Sequence, residues 1–303
     1  MKFSVFQLSR QGGREKNEDR MGYCYCRDSA LFLLADGMGG HPQGEVAAHL
    51  ALKTMSSMYR EQSALSAQEA PAFLKAALMA AHDSILRHAL EQDLKDSPRT
   101  TLVAALLHDG RVSWVHCGDS RFYLVRDGTL QARTRDHSYS EQRMGAPGSA
   151  AAGAGRHVLY TCLGSALVPE FDVVGPVRID PEDQLLLCSD GLWDNLHESV
   201  ILNWLRSKPL HEAVPALVSS ALEQGGPNCD NVTALAVQWH APDSAIEAGV
   251  GYANTLRPDA FASTFLSDGP DMALMAPAPL DEAAIDRTVQ EINDAIRRAS
   301  RKT

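Results

Sequence analysis

Apolar and polar positions alternate from the start of the chain. Phe3, Val5, Gln7 and Ser9 interleave with Ser4, Phe6, Leu8 and Arg10, which is strand period. Residues 21–27 repeat the pattern. Residues 30–35 form a short apolar run that halts at Asp36-Gly37, as a buried strand does when it enters a turn. From 44 to about 61 the placing of Val46, Leu50 and Met58 predicts a helix. A second helix is predicted over 67–94, rich in Ala, Leu, Met and Glu, with Pro71 suited to its first turn. Short strands follow at 100–108, 112–117, 122–126 and 130–134. Asp109-Gly110, Gly118-Asp119 and Asp127-Gly128 divide them, and Asp-Gly between apolar runs signals a hairpin. Residues 145–155 are an uncharged run of Gly, Ala, Pro and Ser, read as a mobile loop. Strands at 173–177 and 184–189, helices at 197–206 and 212–224, and a closing strand at 231–239 complete the pattern.

Strands and helices in separate blocks predict an α+β layered fold rather than alternating βαβ units. The pattern assigns residues 1–240 to one domain. Residues 241–279 lack periodicity and hold five prolines, which reads as a linker. A last helix is predicted over 281–300. Leu280, Ile285, Val289, Ile292 and Ile296 form its stripe, with acids at its start and arginines at its end. That stripe either packs on the core or meets a partner.

Composition narrows the classes. A chain of 303 residues builds its core without disulfides. Its six cysteines form no Cys-x-x-Cys pair and read as small buried hydrophobes, with Cys24 and Cys26 on one strand face. No apolar run reaches membrane-spanning length, and no signal-peptide core is seen, so the expectation is a cytoplasmic protein without membrane contact. The net charge of −10 argues against nucleic acid as a partner. Beyond residue 240 lie six basic and ten acidic residues, which leaves −6 on the first domain.

The acids of that domain recur at strand ends. Asp19, Asp36, Asp119, Asp190 and Asp230 each stand at the edge of an apolar run. Asp is also a common turn residue, so each alone is unremarkable. Gathered at one rim, such carboxylates would repel, and a cation would relieve them. Oxygen ligands suit hard ions such as Mg²⁺ or Mn²⁺. The eleven histidines are scattered, with no His-Glu-x-x-His.

These positions lie within a longer constellation. Arg14-Glu15-Lys16-Asn17-Glu18-Asp19-Arg20 is followed by Asp36-Gly37-Met38-Gly39-Gly40-His41 and Gly44-Glu45, then by Thr100-Thr101 and Gly118-Asp119-Ser120-Arg121. Asp136-His137-Ser138, Leu163-Gly164, Ser189-Asp190-Gly191-Leu192-Trp193-Asp194 and Asp230-Asn231-Val232-Thr233 complete it. In order and spacing, the eight segments resemble the metal-dependent Ser/Thr protein phosphatases (the PPM, or type 2C, family) of the bacterial type, over residues 3–239.

The resemblance implies a four-layer αββα sandwich with two central antiparallel sheets. It implies two or three Mn²⁺ or Mg²⁺ ions per chain. Asp36 would bridge two ions and the Gly37 carbonyl would serve the second. Asp190 and Asp230 would complete the first site. Asp19, with Glu18 beside it, would hold the second ion. Asp119 with Asp190 would hold a weaker third. A metal-bridging hydroxide would attack phosphorus, Arg14 would bind the phosphate, and His41 is the candidate general acid. The implied substrates are phosphorylated proteins, opposed to a Ser/Thr kinase. Two alternatives share the fold: a pseudophosphatase kept for binding, and a phosphatase of small phosphoesters. Pro98-Arg99 stands where the family has Met-Gly, and the Ala/Gly-rich segment 138–157 occupies the family's flap.

Overall fold

The computed structural model describes residues 1–40, 43–62, 65–144, 158–240 and 262–263. Two antiparallel sheets lie face to face. The first has the order β1 (Lys2–Arg10), β10 (Val232–His240), β9 (Gln184–Cys188), β6 (Arg121–Arg126), β7 (Thr129–Arg133). The second runs β11 (Ala262–Ser263), β2 (Arg20–Tyr25), β3 (Ser29–Ala35), β4 (Leu102–His108), β5 (Arg111–Cys117), β8 (Asp172–Arg178). Helices α1 (Gly44–Glu61) and α2 (Ala70–Glu91) cover the second sheet. Helices α4 (Asp190–Trp193), α5 (Glu198–Ser207) and α6 (Leu210–Gly225) cover the first. A further helix, α3, spans Tyr139–Met144.

The continuous apolar runs follow from this layering, because a strand buried on both faces needs no polar alternation. In β3, Leu31, Leu33 and Ala35 pack against the helices, while Ala30, Phe32 and Leu34 face the opposite sheet. In β10, Ala234 and Ala236 face α6, and Leu235, Val237 and Trp239 fill the space between the sheets. Trp114 and Phe122 stack there at 4.6 Å.

Most predicted elements agree with the structure to within a few residues. Three differ. Residues 139–144 of the flap segment, for which no helix was expected, are helical, and the loop predicted at 145–155 lies outside the described residues. Cys26 stands just past β2 and is exposed, unlike the five buried cysteines. Within the stretch read as a linker, Ala262 and Ser263 pair with Tyr25 and Cys24 as an added edge strand. The predicted helix at 281–300 lies outside the described residues.

Strand register decides where the acids go. Arg20 pairs with Ala35, Leu34 with Val103, and Leu102 with Cys117. Asp19, Asp36, Thr101 and Gly118 therefore share one edge of the second sheet. In the first sheet Cys188 pairs with both Ala234 and Arg121, which brings Asp190, Asp230 and Asp119 to one edge as well. The connection 118–120 passes from β5 to β6, so it crosses between the sheets at this rim.

Candidate active site

The rim opens as a cleft of about 780 Å³ lined by Arg14, Glu18, Asp36, Gly37, Asp119, Asp190 and Asp230, among others. Backbone and hydroxyl groups aim its acids. The N–H of Asp36 donates to Thr101 Oγ1 at 3.1 Å, and its carbonyl accepts from Thr100 Oγ1 and Thr101 N–H, both at 2.8 Å. Ser189 Oγ donates to Asp19 Oδ2 at 2.8 Å, tying the two sheets together. The Asn231 side chain accepts from Glu18 N–H at 2.8 Å and donates to the carbonyls of Gln11 and Lys16. Gly37 allows a close approach: a Cβ there would come within 2.5 Å of the Gly44 backbone.

Electrostatics set this rim apart. Burial first, and then the neighbouring acids, raise Asp36 and Asp190 well above the ordinary carboxylate range. Burial also lifts Asp19 to about 6 and Asp119 to about 7. Glu18 is raised by burial and then by Glu45. Arg14 forms an ion pair with Asp230 and is itself 56% exposed. Glu18 Oε2 and Asp19 Oδ1 are buried with no hydrogen-bond partner. Carboxylates held charged in such a place require positive charge from outside the chain. The donors are all oxygen, which fits Mg²⁺ or Mn²⁺ better than zinc.

The described residues contain one trio whose ligand-type atoms all lie within 4.8 Å of one another, and it is His116, His137 and Asp172, away from the cleft. The rim acids are spread more widely.

The family profile described as "Protein phosphatase 2C" matches residues 8–225. The chain belongs to the protein phosphatase 2C family. The serine/threonine phosphatase stp of Listeria welshimeri is 32% identical over 243 residues, spanning 77% of this chain and 94% of the relative. The serine/threonine phosphatase of S. agalactiae superposes with a TM-score of 0.71 at 26% identity, over 79% of this chain and all of that one. The catalytic domain of PstP, a Mycobacterium tuberculosis phosphatase, was solved with two manganese ions. It matches with a TM-score of 0.66 at 31% identity, over 79% of this chain and 99% of its own.

The phosphatase brings seven of its eight predicted site residues to one rim: Arg14, Asp36, Gly37, Asp119, Asp190 and Asp230 line the cleft, and Asp19 sits beneath it. His41 lies outside the described residues, although Gly40 and Gln43 beside it line the cleft. Sequence reasoning gave no role to Thr100, Thr101, Ser189 or Asn231 as supports. Their signal was present: Ser189 and Asn231 adjoin the motif acids Asp190 and Asp230, and Thr100-Thr101 is itself one of the ordered motifs. No helix among the described residues is long and apolar enough to cross a membrane.

Proposed function

We propose that residues 1–240 form the catalytic domain of a metal-dependent phosphatase. Its rim acids hold two or three Mn²⁺ or Mg²⁺ ions to hydrolyse phosphoserine and phosphothreonine in cytoplasmic proteins, against a Ser/Thr kinase. The observation that carries this is the set of carboxylates gathered at one rim, with Glu18 Oε2 and Asp19 Oδ1 buried and without a hydrogen-bond partner. Asp36 is assigned as the bridging ligand. Asp190 and Asp230 complete one site, and Asp19 with the Gly37 carbonyl serves the second. Asp119 with Asp190 serves a weaker third. Bound there, the ions would supply Lewis acidity, lowering the pKa of a ligated water and offsetting charge on phosphoryl oxygens.

The chain's own groups do the rest. Arg14 is anchored by Asp230, leaving part of its planar fork to face a phosphate dianion. Thr100 and Thr101 fix the Asp36 backbone, so its carboxylate need not reorganise during turnover. His41 follows the Gly-rich turn and is assigned to protonate the leaving alkoxide.

The test is hydrolysis of p-nitrophenyl phosphate and of a phosphothreonine peptide with Mn²⁺. Turnover of both supports the proposal. No turnover with metal bound would mark a binding module. Turnover of the small ester alone would mark a small-molecule phosphatase.

A further inference from the structure

His137 stands in the middle of four contacts, none of them inside the cleft. Its backbone N–H donates to the carbonyl of Gly118 at 3.0 Å, and its ring Nδ1 accepts from the N–H of Gly118 at 3.2 Å. Its Nε2 meets Asp172 Oδ2 at 3.3 Å. Its own carbonyl accepts from Tyr160 N–H at 3.1 Å, on the far side of segment 145–157. Because an N–H can only donate, Nδ1 carries no proton, and the ring proton sits on Nε2, where Asp172 accepts it. This tautomer leaves His137 no free lone pair for a cation, so within the trio His137 is hydrogen-bonded to Asp172 and stacked on His116. His116 Nε2 lies 2.8 Å from the Arg135 carbonyl, and its ring stacks on His137 at 4.4 Å.

The residue gripped on both its N–H and its carbonyl is Gly118, at φ +103°, where a Cβ would stand 2.7 Å from the Thr101 side chain. The next residue is Asp119, whose carbonyl accepts from Trp193 Nε1 at 3.0 Å. The backbone that carries the Asp119 side chain is therefore held on one side by His137 and on the other by Trp193.

We propose that His137, oriented by Asp172, is a positioning residue that aims Asp119 into the cleft and locks that turn to the stem of segment 138–157. The inference rests on the reading of Asp119 as a metal ligand. An Asn side chain can place Oδ1 where the ring has Nδ1, whereas Gln reaches toward the Nε2 position and offers nothing to Gly118.

The test is Mn²⁺ titration calorimetry of the full chain. Asp119→Asn is measured first: loss of the weakest Mn²⁺ supports the ligand reading, and unchanged binding overturns that reading itself. Then His137→Gln is expected to weaken the same ion by about tenfold, and His137→Asn by less than about threefold. In the metal-free protein, the Gly118 amide resonance should move in His137→Gln and stay near its place in His137→Asn. Equal effects of the two variants on both readouts, with Asp119→Asn still losing the ion, would overturn the positioning role alone. If His137→Gln does not fold, Asp172→Ala against Asp172→Asn replaces it, since Asp172 is 63% exposed and Asn still accepts from Nε2–H. Weakening in Ala only supports the proposal, and equal binding overturns it.

Discussion

Two groups of buried acids in this phosphatase are treated in opposite ways. Asp136 is gripped by both arms of Arg121, at 2.8 and 2.7 Å, and that guanidinium lies 3.6 Å over the Trp193 ring. Asp183, 1% exposed, is held the same way by Arg126 and also accepts from Asp180 N–H. At the rim, Arg14 makes an ion pair with Asp230 while more than half exposed itself, and no bidentate arginine pair of this kind is seen for the rim aspartates among the described residues. The fold can neutralise a buried carboxylate with a bidentate arginine when structure is all that is needed. Where it does not, the proposed metal ions would supply positive charge. If the rim holds metal as proposed, crowding of its acids in the metal-free chain links stability to metal affinity there and not at the arginine pairs.

The sharpest way to break this contrast is to neutralise one member of each group. Asp36→Asn is expected to lower kcat by about 10³-fold or more, the scale of losing a main electrostatic element. It should also raise the melting temperature of the metal-free protein, because repulsion falls. Retained activity would remove Asp36 from the site. Arg121→Met should act in reverse. It leaves Asp136 buried and unpaired, which costs about 3–5 kcal/mol in urea denaturation. A loss below about 1 kcal/mol would show that the pair is not the structural device described here.

A smaller effect is expected from pH. Asp19 and Asp119 hold protons in the fold up to about 6 and about 7, against 3.8 for the ordinary side chain. Between these values the native state binds more protons than the unfolded chain, so stability falls as pH rises. The melting temperature with chelator should drop from pH 5 to pH 7.5, and saturating Mn²⁺ should remove most of that slope. A flat profile in chelator would mean that the rim acids are not strained. Arg14→Lys should raise KM for a phosphopeptide by about tenfold, since one ammonium cannot reproduce the planar fork. At the small end, Glu45→Gln breaks an exposed pair with Lys16, whose side chain is 70% exposed, and should change stability by less than about 0.5 kcal/mol.

Much of the site was legible because its acids stand where apolar runs stop. Asp36 after 30–35 and Asp190 after 184–189 mark strand ends by composition alone, and the eight ordered motifs joined them. The supports were harder to see. Asp172 is an ordinary acid on an edge strand, and nothing local ties it to His137, 35 residues earlier. Ser189 reaches Asp19 across 170 residues, and Arg121 reaches Asp136 only because β6 and β7 form a hairpin. The exposed Cys26 was misplaced because period two extends a strand past its real end.

The layered class, the strand ends and the acids placed at them can be read from the order of residues alone. Those follow from which side chains avoid water and which residues accept a turn, and both are local properties. Folding is what brings the ends of β3, β5 and β9 to one rim, sets bidentate arginines on Asp136 and Asp183, and places His137 against Gly118. Those outcomes depend on strand order and register, which join residues far apart in the chain. Local periodicity specifies the face a residue occupies and leaves its neighbour across the sheet to the fold.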